Sequence, residues 1–311
     1  MRIFLAGATG AVGRRLVPLL VEAGHEVTGT TRDPARAGDL RAAGAEPAVV
    51  DALDREAVLA AVAKAEPDVV VHQLTALRGI GNPRAFERDF APTNRLRTEG
   101  TDILLAAARA AGVRRFVAQS FGGWPYERTG GPVKDETAAL DPHPAPNARS
   151  TLDGIRYLEA AVTGFPGGIA LRYGGFYGPG TSLSVGGEHL EMVRKRRFPI
   201  VGDGRGVWSF CHIDDAAGAT LAAVERGAPG VYNVADDEPA PVSEWLPALA
   251  RAVGAPPPRR VPAWLARPLL GPQGMVMMTS ARGMSNAKAK RELAWTPSYP
   301  SWREGFAHGL G

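Results

Sequence analysis

Glycines at positions 7, 10 and 13 directly follow a short apolar run, residues 3–6, near the start of the chain. Glycine at this spacing lets the backbone turn sharply out of a strand, lets a pyrophosphate approach the main chain and lets the next helix pack closely. The amphipathic stretch that follows would point free N–H groups and the positive end of its dipole at the phosphates. An ordinary tight turn is the alternative. The pattern predicts a dinucleotide site with contacts from Gly7, Thr9, Gly10, Ala11, Val12 and Gly13.

The end of the second predicted strand indicates which dinucleotide binds. NAD sites usually place a carboxylate there, which accepts hydrogen bonds from the ribose hydroxyls. This chain has Thr31 and Arg32 instead, and its first carboxylate is Asp33. A guanidinium and a hydroxyl suit a phosphate, so NADP(H) is predicted in preference to NAD(H), which stays open as the alternative cofactor. The competing interpretation is that Arg32 simply lies in solvent.

Apolar strand-like runs alternate with segments of helical apolar spacing over the first 178 residues. This alternation predicts an α/β fold, a Rossmann-type doubly wound parallel sheet with helices on both faces. Glycine and proline clusters then interrupt shorter elements, which predicts a smaller C-terminal substrate-binding domain. The predicted nucleotide-binding domain is 1–178 with 207–236, and the smaller domain is 179–206 with 237–311. The predicted sheet strands are 3–6, 26–30, 47–50, 68–72, 115–118, 168–172 and 231–234.

Composition sets limits on compartment and partners. The chain has 311 residues, of which 45% are hydrophobic and 22% charged, and its formal net charge is +4. Its arginines are scattered rather than gathered in one stripe, so no nucleic-acid binding is expected. No apolar run reaches membrane-spanning length, and the first ten residues already carry a structural pattern, so neither a membrane span nor a signal peptide is expected. The single cysteine, Cys211, suits a reducing cytoplasm, which is the predicted location.

Ordered motifs along nearly the whole length carry a family resemblance. They are Gly7-x-x-Gly10-x-x-Gly13, Asp51-Ala-Leu-Asp54, Asn94 with Glu99-Gly100-Thr101, Gly112-Val-Arg-Arg-Phe-Val117, Arg172-Tyr-Gly-Gly-Phe-Tyr-Gly-Pro179, Phe210-Cys-His-Ile-Asp-Asp215, Tyr232-Asn-Val-Ala235 and Glu292-Leu-Ala-Trp-Thr-Pro297. In these motifs the chain resembles the extended short-chain dehydrogenase/reductase superfamily, the NAD(P)-dependent epimerase/dehydratase group. The resemblance implies further cofactor contacts from Asp51, Ala52, Leu53, Gln73, Leu74, Thr75, Asn94, Tyr173 and Phe176.

The residues that carry the chemistry of this superfamily are not all matched. The resemblance implies a proton-transferring tyrosine and, four residues later, a lysine on the helix after the fifth strand, with a glutamate four residues beyond. Counting back from Glu159 places Ile155 at the lysine position and Thr151 at the tyrosine position. Neither side chain can replace its counterpart, so the usual catalytic pair is missing.

Ser120 and Tyr177 are the candidate catalytic residues. Ser120 lies one residue before the position of the superfamily's serine, which Phe121 occupies, and it faces either the site or the sheet. Tyr177 follows the sixth strand, where its hydroxyl either reaches a substrate or fills the domain interface. No spacing of histidines or cysteines predicts a metal site.

Three functions stay open from the sequence. The preferred one is an NADP(H)-dependent oxidoreductase that reduces a small carbonyl or unsaturated compound, with Tyr177, Ser120 or water handling the proton. The second is an epimerase, dehydratase, lyase or cyclase that uses the same fold. The third is a non-catalytic NADP(H) sensor that acts through a partner.

Two further predictions concern the substrate and the assembly. Flexible and aromatic side chains hint at an apolar or aromatic small-molecule substrate, although packing in a core explains them equally well. These side chains are Met275, Met277, Met278, Met284, Trp124 and Phe176. Segments 98–111 and 150–163 have the helical pattern that pairs two copies in a homodimer, and core burial is again the alternative.

Overall fold

The computed structural model describes residues 1–77 and 83–311. Its strands, in chain order, are β1 (Arg2–Ala6), β2 (Glu26–Thr31), β3 (Glu46–Val49), β4 (Val69–His72), β5 (Arg115–Phe121), β6 (Val133–Lys134), β7 (Gly168–Tyr173), β8 (Gly175–Tyr177), β9 (Ile200–Val201), β10 (Val207–Trp208), β11 (Phe210–His212), β12 (Gly230–Val234), β13 (Ala240–Pro241), β14 (Arg260–Val261) and β15 (Gly283–Met284). Its α-helices are α1 (Gly13–Glu22), α2 (Ala37–Ala42), α3 (Arg55–Ala65), α4 (Phe86–Arg95), α5 (Thr101–Ala110), α6 (Arg149–Thr163), α7 (Glu188–Arg194), α8 (Ile213–Arg226), α9 (Val242–Ala252), α10 (Ala263–Thr279), α11 (Ala287–Glu292) and α12 (Trp302–His308).

Seven of the strands form one parallel sheet in the order β12-β7-β5-β4-β1-β2-β3. Each of the seven predicted strands lies in this sheet, so the prediction of a Rossmann-type parallel sheet is confirmed. The strand order reverses between β1 and β4. In open parallel sheets such a reversal leaves a crevice at the carboxyl ends of the two strands, which is where ligands bind.

Helices cover both faces of the sheet. On one face α1 and α8 pack together, and Leu16, Leu20 and Ala216 are buried there. On the other face lie α3, α5 and α6, with Val58 and Leu104 in the core. Burial of both faces removes apolar surface from water and so fixes the positions of the strand ends.

A separate apolar core lies in the C-terminal part of the chain. It gathers aromatic side chains, among them Phe210, Trp245, Trp302 and Phe306. Helix α10 bends at Gly271, whose φ of 66° is in the left-handed region that favours glycine. The domain boundaries drawn from the sequence stay a prediction. Among the described residues, no helix combines the length and the apolar character that a bilayer span requires.

The segment between β5 and α6 is tied down at two places. Strand β6 pairs in parallel with β15, and Tyr126 forms an isolated antiparallel bridge with Leu140. Because the segment starts at the carboxyl end of β5, these ties hold Trp124 and Tyr126 next to the ligand-binding edge of the sheet.

Candidate cofactor and active site

The glycine loop between β1 and α1 has a backbone conformation that leaves no room for side chains at Gly7 and Gly13. Gly7 has a φ of +93°, and a Cβ atom there would lie 2.8 Å from the carbonyl group of Gln73. At Gly13 a Cβ would lie 2.2 Å from the Gly7 carbonyl oxygen. At Gly10 the Cβ would meet one neighbour, the same oxygen at 3.2 Å, and otherwise open space. This cradle fits a pyrophosphate, which has to approach the main chain closely.

The start of α1 supplies donors for that pyrophosphate. In the described part of the chain, the backbone N–H groups of Ala11, Val12 and Gly13 have no backbone acceptor, whereas Arg14 N–H donates to the Gly10 carbonyl. The exposed Arg14 side chain reaches towards Gly180, so a cation lies beside the same helix end. Free N–H groups and the helix dipole favour an anion at this place.

The end of β2 carries the residues that predicted a phosphate-bearing cofactor. Thr31 is buried, and its hydroxyl is engaged with the backbone of Asp33, while Arg32 is exposed. Two contacts with the glycine loop were missed from the sequence. Arg36 Nη1 donates to the Thr9 carbonyl at 2.9 Å, and the Thr30 hydroxyl accepts the Gly7 N–H at 3.0 Å. The one sequence signal for the contact between Arg36 and Thr9 was the presence of a second arginine four residues after Arg32.

The ends of β3 and β4 place the next predicted contacts at the same edge. The exposed Asp51 accepts the Leu53 N–H at 3.0 Å, with Ala52 buried between them. Leu53 lies beside Gly100, within 3.9 Å of where a Cβ would stand.

After β4, Gln73 is buried, Leu74 is half-buried and Thr75 is exposed. Gln73 Nε2 donates to the Tyr173 hydroxyl at 3.2 Å, and its buried Oε1 has no partner among the described residues. His72 Nδ1 accepts the Leu74 N–H, and burial lowers the pKa of His72 to about 4, so its ring is neutral at pH 7.

Tyr173 does not fit its predicted contact through the side chain. It is fully buried, and its hydroxyl lies 2.6 Å from the Thr220 hydroxyl of α8, inside the core between sheet and helices. Burial raises the pKa of Tyr173 far above its usual value. Phe176 is half-buried, with its ring centroid 5.2 Å from that of Tyr173. A cofactor contact from Tyr173 would have to come from its backbone, because the ring is fully buried and its hydroxyl is bonded to Gln73 and Thr220.

The positions of the missing catalytic pair are both enclosed in α6. Thr151 and Ile155 are 0% and 1% exposed. Asn94 Nδ2 donates to the Thr151 hydroxyl at 3.1 Å, and Asn94 Oδ1 accepts from Arg97 Nη1 at 3.4 Å. Arg97 belongs to a π-helical turn, Leu96–Gly100, that joins α4 to α5, and such turns are frequent at functional sites. Arg97 is buried, which no pattern in the surrounding residues predicts.

Ser120 belongs to a buried polar network rather than to an open cleft. Its hydroxyl donates to Glu159 Oε1 at 2.7 Å. Glu159 also forms a bidentate ion pair with Arg172, at 2.8 and 2.7 Å, and Arg172 donates to the Tyr126 hydroxyl at 3.0 Å. The Tyr126 hydroxyl in turn donates to Asn233 Oδ1 of β12. The network ties β5, β7, β12 and α6 together, so the catalytic role predicted for Ser120 is not favoured by its position.

The position of Tyr177 disfavours the first of its two predicted roles, a contact with the substrate. The side chain is fully buried in the C-terminal core, with its hydroxyl against Gly305 of α12. The rings of His212 and Phe306 lie 5.1 and 5.4 Å away, centroid to centroid. In the described residues its hydroxyl has no hydrogen-bond partner, and burial raises its pKa far above the usual value. The alternative interpretation, packing between the two parts of the chain, agrees with this environment.

An aromatic cluster packs against the same stretch of α6. The rings of Phe86 and Phe90 stack at 4.3 Å, and Trp124 meets Phe86 edge-on at 5.8 Å and Phe121 at 6.3 Å. Ile155 belongs to the same cluster. Two predicted side chains, Trp124 and Met277, lie there, whereas Met278 and Met275 pack in the C-terminal core.

Residues 1–77 and 83–311 contain no group of three or more His, Cys, Asp or Glu side chains placed to hold a metal ion. Cys211, the single cysteine, is fully buried, and burial raises the pKa of its thiol well above the usual value.

Comparison with known proteins agrees with this geometry. Residues 3–235 match the model of the NAD dependent epimerase/dehydratase family. A Streptomyces protein named 3-diazoavenalumate denitrifying reductase is 49% identical over 310 residues, which cover 98% of this chain and 99% of that protein. The 2-alkyl-3-oxoalkanoate reductase of Stenotrophomonas maltophilia is 31% identical over 266 residues, covering 82% of this chain and 77% of that protein.

Among solved structures, a human epimerase family protein with NADPH superposes with a TM-score of 0.74 at 20% identity. The superposition covers 100% of this chain and 99% of the human one, and it shows a shared fold. The family description supports a nicotinamide cofactor for the cleft, and the names of the relatives support an oxidoreductase.

Proposed function

Because the chain belongs to the NAD dependent epimerase/dehydratase family of extended short-chain dehydrogenases/reductases, we propose that it is an NADPH-dependent reductase that replaces an aryl diazo group by hydrogen and releases dinitrogen. The observation that carries the proposal is the pair of enclosed side chains, Thr151 and Ile155, at the positions of the proton-transferring tyrosine and lysine. The relative named a diazo-compound reductase, at 49% identity over nearly the full length, supports the same choice.

The two candidate reductions differ in their need for a proton. When bound at the sheet edge, the reduced nicotinamide cofactor supplies a hydride. Reduction of a carbonyl group puts the hydride on carbon and a proton on oxygen, so an acid has to stand beside that oxygen. In an aryl diazonium ion the hydride pair forms the new C–H bond and the C–N pair leaves with dinitrogen, and atoms and charge balance without any proton. A site without Tyr and Lys suits the second reaction.

The residues around Thr151 are suited to binding a substrate and excluding water rather than to transferring protons. The Thr151 hydroxyl accepts from Asn94, and the neighbouring cluster of Phe86, Phe90, Phe121 and Trp124 offers aromatic surface. Aromatic rings favour an aromatic ligand through stacked or edge-on contacts, and each excludes solvent from the ligand that it covers. The cluster therefore supports an aromatic substrate.

The preference for NADPH over NADH belongs to the same proposal. Arg32 is exposed beside Thr31, and Arg36 folds onto the glycine loop through its bond to Thr9. Two guanidinium groups at this edge, with no carboxylate at the end of β2, suit a ribose phosphate. Titration of Arg32→Glu and Arg36→Gln with NADPH and NADH tests this. A weaker NADPH complex with NADH binding unchanged is expected, and unchanged NADPH affinity in both variants would reject the assignment.

The proposed reaction has three readouts that a carbonyl reductase would not give. The probe is 4-carboxybenzenediazonium with 15N in the diazo group, incubated with NADPH deuterated at the transferred position. We expect labelled dinitrogen in the headspace, deuterium on the ring carbon of benzoate, and no proton uptake per NADPH in weak buffer. The Gly13→Ala variant, whose loop cannot close on a cofactor, controls for direct reaction of the diazonium salt with NADPH. Turnover of acetophenone with one proton taken up, and none of the diazonium ion, contradicts the proposal.

Reduction of a carbonyl group is the second candidate, and the relative named 2-alkyl-3-oxoalkanoate reductase favours it. Carbonyl reduction needs an acid at the cleft that gives a proton to the carbonyl oxygen. Because the hydroxyl groups of Thr151 and Ser120 are enclosed, water would have to supply that proton. A cytoplasmic location and a homodimer stay predictions from the sequence.

A further inference from the structure

Two arginines but one glutamate are buried together beneath the cleft. Arg172 and Glu159 form the bidentate pair described above, with side chains 7% and 8% exposed. Arg97 is 6% exposed, and its one hydrogen bond in the described structure goes to Asn94 Oδ1 at 3.4 Å. No carboxylate of the described residues lies within ion-pair distance of Arg97. The group therefore carries one unpaired buried positive charge.

The contacts of Arg97 place its guanidinium beside α6 at the level of Ile155. Asn94, its hydrogen-bond acceptor, touches Thr151 and lies 3.5 Å from where a Cβ of Gly154 would stand. On the other side, the charge of Glu159 acts on Arg97. Thr151 and Glu159 are two turns apart on α6, and Ile155 lies between them. Arg97 thus approaches from a neighbouring helix the level at which a lysine on α6 would have extended.

An arginine with a purely structural role would be expected to have a partner. Burial of an unpaired charge is costly, and buried arginines are almost always paired with carboxylates. Burial lowers the pKa of Arg97 to about 10, so it remains a cation at neutral pH. The charge of Arg97 helps to lower the pKa of His72, the last residue of β4, so the cation lies near the carboxyl ends of the sheet strands. An unpaired cation at this place points to a role in the ligand complex.

We propose that Arg97 supplies the positive charge of the active site in place of the lysine missing at position 155, and that this charge favours the reduced nicotinamide over the oxidised one. The oxidised ring carries a positive charge that the reduced ring lacks, and like charges in a partly buried site repel. The inference rests on the proposed function in one respect, that a nicotinamide cofactor binds at this edge. A site that holds the reduced form more tightly is suited to reduction.

The ratio of two dissociation constants tests the proposal without any substrate. NADPH and NADP+ share all their phosphates, so Kd(NADP+)/Kd(NADPH) isolates the charge of the ring. Both constants are measured by calorimetric titration of the wild type, Arg97→Gln, Arg97→Lys and Arg95→Gln. Gln keeps a donor for Asn94 and removes the charge, and Lys keeps the charge. Arg95 is the matched control, because it lies two residues earlier, is exposed and pairs with Glu99.

We expect Arg97→Gln to lower the ratio about tenfold, a size that like charges several ångströms apart can produce. Arg97→Lys should keep the ratio within about threefold, and Arg95→Gln should leave it unchanged. A wild-type ratio retained by Arg97→Gln, or an equal fall in Arg95→Gln, would overturn the proposal. If NADPH is not the preferred cofactor, NAD+ and NADH give the same comparison.

A second variant keeps the test decisive if Arg97→Gln does not fold. Glu159→Gln removes the carboxylate buried beside Arg97 and Arg172 and is expected to raise the ratio, while a ratio that is unchanged or lower contradicts the proposal. The titrations are also independent of the reaction. A changed ratio in an enzyme that leaves diazonium ions intact would reject the proposed substrate and retain the role of Arg97.

Discussion

The nucleotide-binding edge at β1–α1–β2 and the reaction edge at β5–α6–β7 belong to one sheet, but different parts of the chain hold them in place. At the nucleotide edge the main chain determines the geometry, because Gly7 and Gly13 allow backbone approaches that no side chain would permit. At the reaction edge side chains determine it, through the buried network of Ser120, Glu159 and Arg172. Cofactor binding and reaction chemistry can therefore diverge separately in such folds.

A site built from main chain tolerates almost no substitution, whereas a site built from side chains changes its chemistry when a few of them change. Thr151 and Ile155 stand where the resemblance implies the catalytic pair, and the ion pair between Glu159 of α6 and Arg172 of β7 ties that helix to the sheet. The reaction edge thus keeps its scaffold while its reactive groups differ.

Loss of Arg172 should have the largest effect on stability, and it tests whether side chains hold the reaction edge in place. Arg172→Met leaves Glu159 buried without its partner, which typically costs about 3–5 kcal/mol of unfolding free energy. Urea unfolding measures the change. Arg114→Met is the control, because Arg114 pairs with Asp68 at the surface and its loss should cost less than about 1 kcal/mol. Equal losses in the two variants would show that side chains do not hold the reaction edge.

A single methyl group should have the next largest effect at the nucleotide edge. Gly13→Ala places a Cβ 2.2 Å from the Gly7 carbonyl oxygen, so the loop must open and we expect NADPH affinity to fall at least 100-fold. Titration by fluorescence gives the constant. Gly38→Ala is the control, since a Cβ there meets no atom within 4 Å, and it should bind NADPH normally. Near-normal NADPH binding by Gly13→Ala would contradict the view that the main chain of this loop determines cofactor binding.

Removal of the Thr151 hydroxyl should affect stability more than turnover. Thr151→Val takes away the acceptor of the Asn94 amide and should lower the unfolding free energy by about 1–2 kcal/mol. Diazonium turnover should stay within about threefold, because no proton is needed from this position. In the control Thr98→Val, only a bond from the hydroxyl to a helix carbonyl is lost, so both quantities should hardly change. A 100-fold fall in kcat at constant KM would give Thr151 a chemical role.

His72 connects the two edges and should give the smallest effect. Its ring accepts the Leu74 N–H and lies 3.2 Å from the Thr101 hydroxyl of α5. Burial lowers its pKa from 6.5 to about 4, so the native state binds fewer protons than the unfolded chain. The contribution of His72 to stability is therefore full well above pH 6.5 and is lost as the pH falls through 6.5 towards 4, by about 1 kcal/mol near pH 6. The unfolding free energy of His72→Gln should lack this dependence on pH. If the dependence persists in the variant, other groups cause it.

Much of the nucleotide edge could be predicted from the sequence, because glycine spacing reports backbone geometry directly. Gly7, Gly10 and Gly13 predict a close approach wherever the rest of the chain lies. The contact from Arg36 to Thr9 could not be predicted in the same way, since it depends on how the turn after β2 folds back.

The reaction edge could be predicted only in part, because side-chain surroundings come from distant segments. The loss of Tyr and Lys was visible by counting from Glu159, but the burial of Arg97 depends on its packing beside α6, more than fifty residues later. Tyr177 was open to two interpretations for a similar reason. The helix that covers its hydroxyl, α12, lies at the far end of the chain.

The strand order also dictates when the protein can be completed during synthesis. Six strands, from β1 to β7 in the sheet, are made before residue 230, and β1 lies in their middle. Until β12 leaves the ribosome, β7 is an open edge, and such an edge invites pairing with other nascent chains. During this interval the Tyr126 hydroxyl also lacks its acceptor, Asn233 of β12. The strand that protects the growing chain from aggregation is therefore the one that completes the polar network beneath the cleft.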